Sequence, residues 1–288
     1  MSEAAATPGG LRKRNALLAA IGAWFVAPVA FAYVQRIGWG IAFALATPVI
    51  MMIMGRTGLA FVPGAYPLFT VLPALVLIAA IVAVVAFARR VPEGAAPRWY
   101  NRWYHYLWMG ALTLAFTSYL GANRGAIFGV EPFRIPSTSM EPTIAFGDFI
   151  VADYRANTMA EIHRGDIVIF IPKAHPDQRW QKRVVGLPGE SIVAHDHRVQ
   201  IDGKALDEPW HTVRNGVAYP GDFESVTLGP DEYYLMGDNR PNSEDSRYTG
   251  PVKRSALLAK VRTVWFHYSP THGIDTSRIG LSVDAPAR

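Results

Sequence analysis

At 288 residues the chain has room for two domains of ordinary size, or for a membrane part plus one soluble domain. Half of it is hydrophobic (50%), only 18% is charged and cysteine is absent. These figures exclude a typical fully soluble protein, a disulfide framework, a thiolate metal site and a cysteine nucleophile. The formal charge of +5 does not call for nucleic acid. Much of the excess (Arg12, Lys13, Arg14, Arg89, Arg90, Arg98 and Arg102) lies beside apolar segments, where basic residues orient helices and touch anionic lipid.

Four apolar stretches come first, at about 15–34, 37–55, 66–88 and 104–121. Each is near the ~20 residues a helix needs to cross the hydrocarbon core. The first lacks a clear small-residue cleavage site and is followed by further apolar segments, so a cleavable signal peptide is not expected. Pro28, Pro48 and Pro73 are expected inside membrane helices, where neighbours satisfy the freed carbonyls. Residues 1–122 therefore read as a multi-pass α-helical membrane region with three to four transmembrane helices. The basic loop 89–103 should face the cytoplasm. Four crossings would then put the N-terminus outside, against the preference of Arg12, Lys13 and Arg14. The tight link at Gln35 and Arg36 makes 15–55 the place where a crossing would be incomplete.

From residue 130 the pattern changes to short β-rich runs, at 148–154, 166–171, 181–187, 191–201 and 260–268, separated by Gly, Pro and Asp turns. No helical period persists over ten residues, and no internal repeat is present. Residues 123–270 are thus expected to form a mostly antiparallel β domain. The polar tail 271–288 has no evident packing role and is expected to be disordered.

Between the two regions the chain reads RIPSTSMEPTI, with Ser137, Thr138 and Ser139 held between Pro136 and Pro142. A serine hydroxyl is a weak nucleophile until a base takes its proton. None of the eight histidines sits in a motif that suggests this role. His195 and His197 flank Asp196 as a possible metal pair, but with no third ligand in view a solvated hairpin is the better reading. The other candidate base is a lysine whose pKa burial has lowered. Lys182, in WQKRVVGLPG, fits: in a strand it and Arg183 point to opposite faces, so one can enter the protein while the other stays in water. A third cluster, MGDNRPNSEDSRYTG at 236–250, is dense in groups able to orient a base: Asp238, Asn239, Arg240, Ser243, Asp245, Ser246 and Arg247.

Together EPFRIPSTSMEPTI, GDFIVADY, RGDIVIF, KRVVGLPGE and GDNRPNSEDSRYTGPV resemble the bacterial type I signal peptidases, or leader peptidases, membrane-bound serine proteases with a Ser–Lys dyad. The likeness runs over most of 130–252 in the family's order. It implies a largely antiparallel β catalytic domain on the outer (periplasmic) surface of the bacterial cytoplasmic membrane. It also implies an activity: removal of N-terminal signal peptides from exported preproteins at Ala-X-Ala-like sites. Carried over by position, Ser139 is the nucleophile and Lys182 the general base. Ser137 joins the Ser139 N–H in the oxyanion hole, Ser243 orients the lysine, and Asp245 with Arg247 forms a supporting ion pair. The family pattern often has glycine where Thr138 stands, and Pro241 occupies a variable place.

The resemblance further implies that the signal peptide lies extended between 132–137 and 179–182, adding a strand. Phe133, Ile135, Pro136, Met140, Trp180 and Gln181 are the expected substrate-binding residues. No cofactor, metal or nucleic acid is expected. The implied partners are signal peptides, the lipid bilayer and the secretion translocon. The rival readings are a non-catalytic membrane protein with a β domain, which the scarcity of intramembrane charge disfavours, and a Ser–Lys autoprotease or a specialised pilus-processing peptidase.

Overall fold

The computed structural model describes residues 11–283, apart from 63–64, 197, 211–212, 215–216, 219–221 and 272. The chain divides into two compact units, Met1–Ala60 with Ala65–Phe128, and Phe61–Gly64 with Gly129–Arg288.

The first unit is helical: α1 (Ala16–Phe25), α2 (Ala27–Tyr33), α3 (Ile37–Thr57), α4 (Leu68–Arg90), α5 (Trp103–Ala122) and α6 (Arg124–Phe128). Among the described residues, α3 and α4 are the two helices both long and apolar enough to cross a membrane. They keep Pro48 and Pro73 inside them, as expected. α5 is 20 residues long and has no buried residue, but its tyrosines, threonines and His105 make it less apolar.

The stretch 15–34 is different. It breaks at Val26, and Pro28 falls in the first turn of α2, where its missing N–H costs no helical bond. A single spanning helix would instead have lost that bond in its interior. The products are helices of 10 and 7 residues, about 15 and 10 Å long against a hydrocarbon core of about 30 Å. They fold back as a hairpin whose two ends meet. Asn15 N donates to Tyr33 Oη at 3.1 Å, and the Arg14 guanidinium lies 4.3 Å from the centre of the Tyr33 ring. Asn15 also caps α1 through its side chain, accepting from Leu17 N and Leu18 N. Small residues let the hairpin dock closely: Ala19 and Ala23 share a buried cluster with Ala80, Val84 and Ala88 of α4. At Gly40 of α3, an added Cβ would stand 2.8 Å from Pro28 Cα. The loop after α4 joins the same end, because Leu11 N donates to Ala95 O, Gly94 N to Leu11 O, and Gln35 Nε2 to Ala96 O. The N-terminal cations and the loop 89–103 are therefore neighbours.

The second unit is β-rich: β1 (Val130–Arg134), β2 (Asp148–Asp153), β3 (Ile167–Phe170), β4 (Trp180–Gly186), β5 (Ser191–His195), β6 (Arg198–Ile201), β7 (Lys204–Ala205), β8 (Val213–Arg214), β9 (Val217–Ala218), β10 (Phe223–Thr227), β11 (Glu232–Met236), β12 (Val252–Lys253), β13 (Leu257–Ser269), β14 (Gly273–Ile274) and β15 (Leu281–Ser282). Its helices, α7 (Ala156–Ala160) and α8 (Ser246–Thr249), are single turns. The large sheet runs β1-β2-β13-β3-β4-β11-β12, with β14 and β15 also on β13; a smaller one runs β10-β5-β6-β7. All the pairings are antiparallel. The long β13 bridges β2 and β3, and bulges along it bend the sheet. Two edges matter for the site. β1 pairs only with β2, and β11 meets β4 only from Arg183 onward, so 180–182 keeps one side unpaired among the described strands.

The expectation of a disordered tail is corrected for the described part. Residues 273–283 pack back on β13, Val283 is buried, and Arg278 makes two bonds to the buried Asp148, at 2.8 and 2.6 Å. Polar composition hid this because the anchor is an ion pair. Residues 284–288 lie outside the described residues.

Candidate active site

The turn carrying Ser137 and Ser139 is held from beneath by apolar side chains. Ile135, Met140 and Ile144 are buried in one cluster with Ile150, Ile167 and Val264. Its margins are fixed by the backbone: Ile135 N donates to Asp148 O, Gly147 N to Ile135 O, and Ile144 N to Met140 O. The Asp148 carboxylate accepts from Ala145 N at 2.7 Å, which closes the return of the loop into β2.

Lys182 comes to this turn from β4. Opposite Val168 on one side and free of β11 on the other, it donates from Nζ to Ser139 Oγ at 2.9 Å. It is 5% exposed. Burial pulls its pKa down from 10.5 to about 8, against the carboxylates of Asp245, Glu244 and Asp238; Arg247 adds to the lowering. Ser137 Oγ stands 3.3 Å from Ser139 Oγ and accepts from Gln181 Nε2 at 3.4 Å. The Ser139 N–H makes no hydrogen bond to another described residue. A hydroxyl beside a buried amine, with a second hydroxyl and a free N–H close by, can attack a carbonyl and hold the resulting oxyanion.

The segment 237–247 closes the other side. Met236 ends β11, and at Gly237 the backbone passes so near the turn that an added Cβ would lie 2.5 Å from Ser139 O and 2.2 Å from Ser243 Oγ. Only glycine leaves that space. Asn239 N donates to Ser139 O at 3.1 Å and its Nδ2 to Thr138 O at 3.0 Å. Asn242 Nδ2 reaches Thr138 Oγ1 at 2.6 Å. Thr138 is not among the residues with positive φ, so nothing in the backbone calls for glycine there, and its hydroxyl has a partner.

Asp245 lies at the centre of this segment. It accepts from Gly237 N (2.9 Å), Ser243 Oγ (2.8 Å) and both Nε and Nη2 of Arg247 (2.8 Å each). Ser243 thus spends its proton on Asp245; no hydrogen bond joins it to Lys182 among the described residues. The lysine feels Asp245 through space instead.

Arg183 is buried like Lys182, so neither side chain stays in water. It faces away from Ser139 and pairs with Asp238 through two bonds, at 2.8 and 2.6 Å, beneath the ring of Trp210. Strand alternation was legible, but the cover on the far face comes from residues distant in sequence. Asp238 and Asn239 belong to the cluster that the sequence marks as base-orienting, but Gly237 and the pairing of Arg183 with Asp238 were not foreseen. The only signal was their adjacency to Lys182 and Ser243.

Of the expected substrate-binding residues, Phe133, Pro136, Trp180 and Gln181 remain at least partly exposed, whereas Ile135 and Met140 are sealed in the core. β1 and the start of β4 approach each other: Arg179 pairs with Glu131 at 3.1 Å and lies 5.6 Å from the Phe133 ring centre. A buried His–Asp contact exists, His267 Nδ1 to Asp148 Oδ1 at 2.7 Å, but it serves the Arg278 anchor and makes no bond to Ser139. The further ligand-type residue that the HDH reading lacked is Asp222. His195, Asp196 and Asp222 come within 4.8 Å of one another, all exposed at hairpin ends, and His197 lies outside the described residues.

Comparison with known proteins places the chain in a family. The family model described as signal peptidase, peptidase S26, matches residues 108–266. A probable signal peptidase I-2 of Synechocystis sp. is 37% identical over 140 residues, 46% of this chain and 62% of that protein. Signal peptidase I T of Bacillus subtilis (strain 168) is 33% identical over 152 residues, 49% of this chain and 77% of that one. Signal peptidase I of Bacillus licheniformis is 31% identical over 175 residues, 58% of this chain and 92% of that one. The chain belongs to the signal peptidase family, peptidase S26, as a membrane-anchored serine peptidase that removes signal peptides from preproteins.

Proposed function

We propose that Ser139 is the nucleophile and Lys182 the general base of this activity. The observation that carries the assignment is the 2.9 Å contact between the Lys182 amine and the Ser139 hydroxyl, made where burial lowers the amine's pKa to about 8. Neutral Lys182 takes the serine proton as Oγ attacks the carbonyl at the end of the signal peptide. Ser137 Oγ and the Ser139 N–H receive the oxyanion. The lysine returns the proton to the leaving amine, and water then releases the acyl group. Gly237, Asn239 and Asp245 act as positioning residues. The substrate strand adds to the free edges of β1 and of 180–182, with Phe133, Pro136, Trp180 and Gln181 at its surface and Ile135 and Met140 as the floor beneath it. With Ile135 and Met140 already buried, such a floor favours small side chains above it, which suits Ala-X-Ala-like sites.

The base fixes the pH dependence. With a pKa of about 8, only the deprotonated fraction works, so kcat/KM rises about tenfold per pH unit below 8 and levels above about 9. A preprotein-cleavage profile that is flat from pH 6 to 9 contradicts the lysine base.

The helical unit supports an orientation. With the α1–α2 hairpin not crossing, α3, α4 and α5 make three passages. Residues 11–14 and 89–103 then share the cytoplasmic side, and the β unit emerges on the outer side. The chain has no cysteine, so single cysteines can be placed without a background. In intact spheroplasts, an impermeant maleimide is expected to label Glu224→Cys and to spare Lys13→Cys and Ala96→Cys. Labelling of Lys13→Cys together with Glu224→Cys would remove this topology.

A further inference from the structure

We propose that the end of the helical unit at the N-terminus of α3 binds the phosphate headgroup of an anionic phospholipid, seated between Arg36 and Arg98. The helical unit is strongly basic. Glu93 is the sole acid of residues 11–128, and the cations of 12–14, 89–90, 98 and 102 gather at one end together with Arg36. At the opposite end Arg56, also exposed, donates to the carbonyls of Ala126 and Ile127. Arg36 and Arg98 are both exposed, and neither has an acidic partner among the described residues. Arg36 is held in place instead by the Phe87 ring, 5.4 Å away.

Between the two arginines lies a cleft of about 460 Å³, lined also by Gln35, Gly38, Trp39 and Tyr100. It is an open groove at the surface rather than an enclosed cavity. Both arginines and the first residues of the 21-residue α3 line it, and guanidinium groups beside a helix N-terminus are donors suited to a phosphate monoanion. A lipid rather than a free ion is indicated by the rim. Trp39, Trp99 and Trp103 are 53%, 71% and 72% exposed, and exposed tryptophans beside apolar helices belong at the level of lipid headgroups.

The test uses the full chain, purified in detergent, with lipid retention read by native mass spectrometry. Phosphatidylglycerol is expected to remain bound in preference to phosphatidylcholine. The double variant R36Q/R98Q is expected to lose about fivefold in affinity per arginine, while R36K/R98K keeps most of it and both cleave a preprotein in detergent like the parent. R36K/R98K separates loss of charge from misfolding, and unchanged cleavage keeps the result independent of the dyad. Equal retention of the two lipids, full phosphatidylglycerol binding by R36Q/R98Q, or displacement of the lipid by millimolar inorganic phosphate would each overturn the proposal.

Discussion

Ser139→Ala and Lys182→Met are each expected to lower the rate of preprotein cleavage by about 10⁴-fold or more while both variants still unfold cooperatively. If Ser139 and Lys182 work as the proposed nucleophile and base, the two losses are expected not to add in the double variant, because such a pair acts as one unit. The lysine gives a second, opposite reading in stability. Its folded pKa is lowered to about 8, so the folded state holds its proton less tightly than the unfolded chain does. That cost is fully present below about pH 8, shrinks between 8 and 10.5, and vanishes above. At pH 7 it is on the order of 3 kcal/mol. Lys182→Met, which removes the buried charge but keeps the volume, is therefore expected to be dead and more stable at neutral pH. A structural lysine would show the reverse pattern, retaining cleavage and losing stability. Cleavage within tenfold of the parent in either single variant would end the dyad assignment.

Asp245→Ala is expected to be the most damaging change outside the dyad. It leaves the Arg247 guanidinium buried without its carboxylate and takes the acceptor from Gly237 N and Ser243 Oγ. Breaking a buried pair in this way costs about 3–5 kcal/mol, a large part of the ~5–15 kcal/mol that holds a domain together. Because Gly237 and Asn239 lie against Ser139, the same change loosens the nucleophile turn. Urea denaturation should show a lowered midpoint, and kcat should fall while KM changes little. An unchanged midpoint would mean that the carboxylate contributes nothing net to the fold. Asp245→Asn keeps one acceptor oxygen and should lie between the parent and the alanine variant.

The sequence alone determined the parts of this protein that are local. Alternation and turn residues placed β2, β3, β4 and β13 to within about three residues and caught β5 and β6 as one run, since side-chain direction repeats every two positions along any strand; β10 and β11 were not read from the sequence. Hydropathy located the helical region, and the two prolines and two serines of RIPSTSMEPTI marked a constrained reactive turn. Resemblance then paired Ser139 with Lys182. Whether the amine reaches the hydroxyl depends on where β11 stops pairing with β4, and only the folded sheet decides that. The same holds for Arg183, buried because Trp210 and Asp238 cover it, and for Ser243, whose proton goes to Asp245. It holds for the tail as well, pinned by Arg278 to Asp148 across the chain. In the membrane region, composition could count apolar residues but not tell a spanning helix from a hairpin. Pro28 fits either, and the outcome rests on Tyr33 meeting Asn15 and on Gly40 admitting the hairpin. Periodicity records which way a side chain points; what it meets there is set by residues far away in sequence.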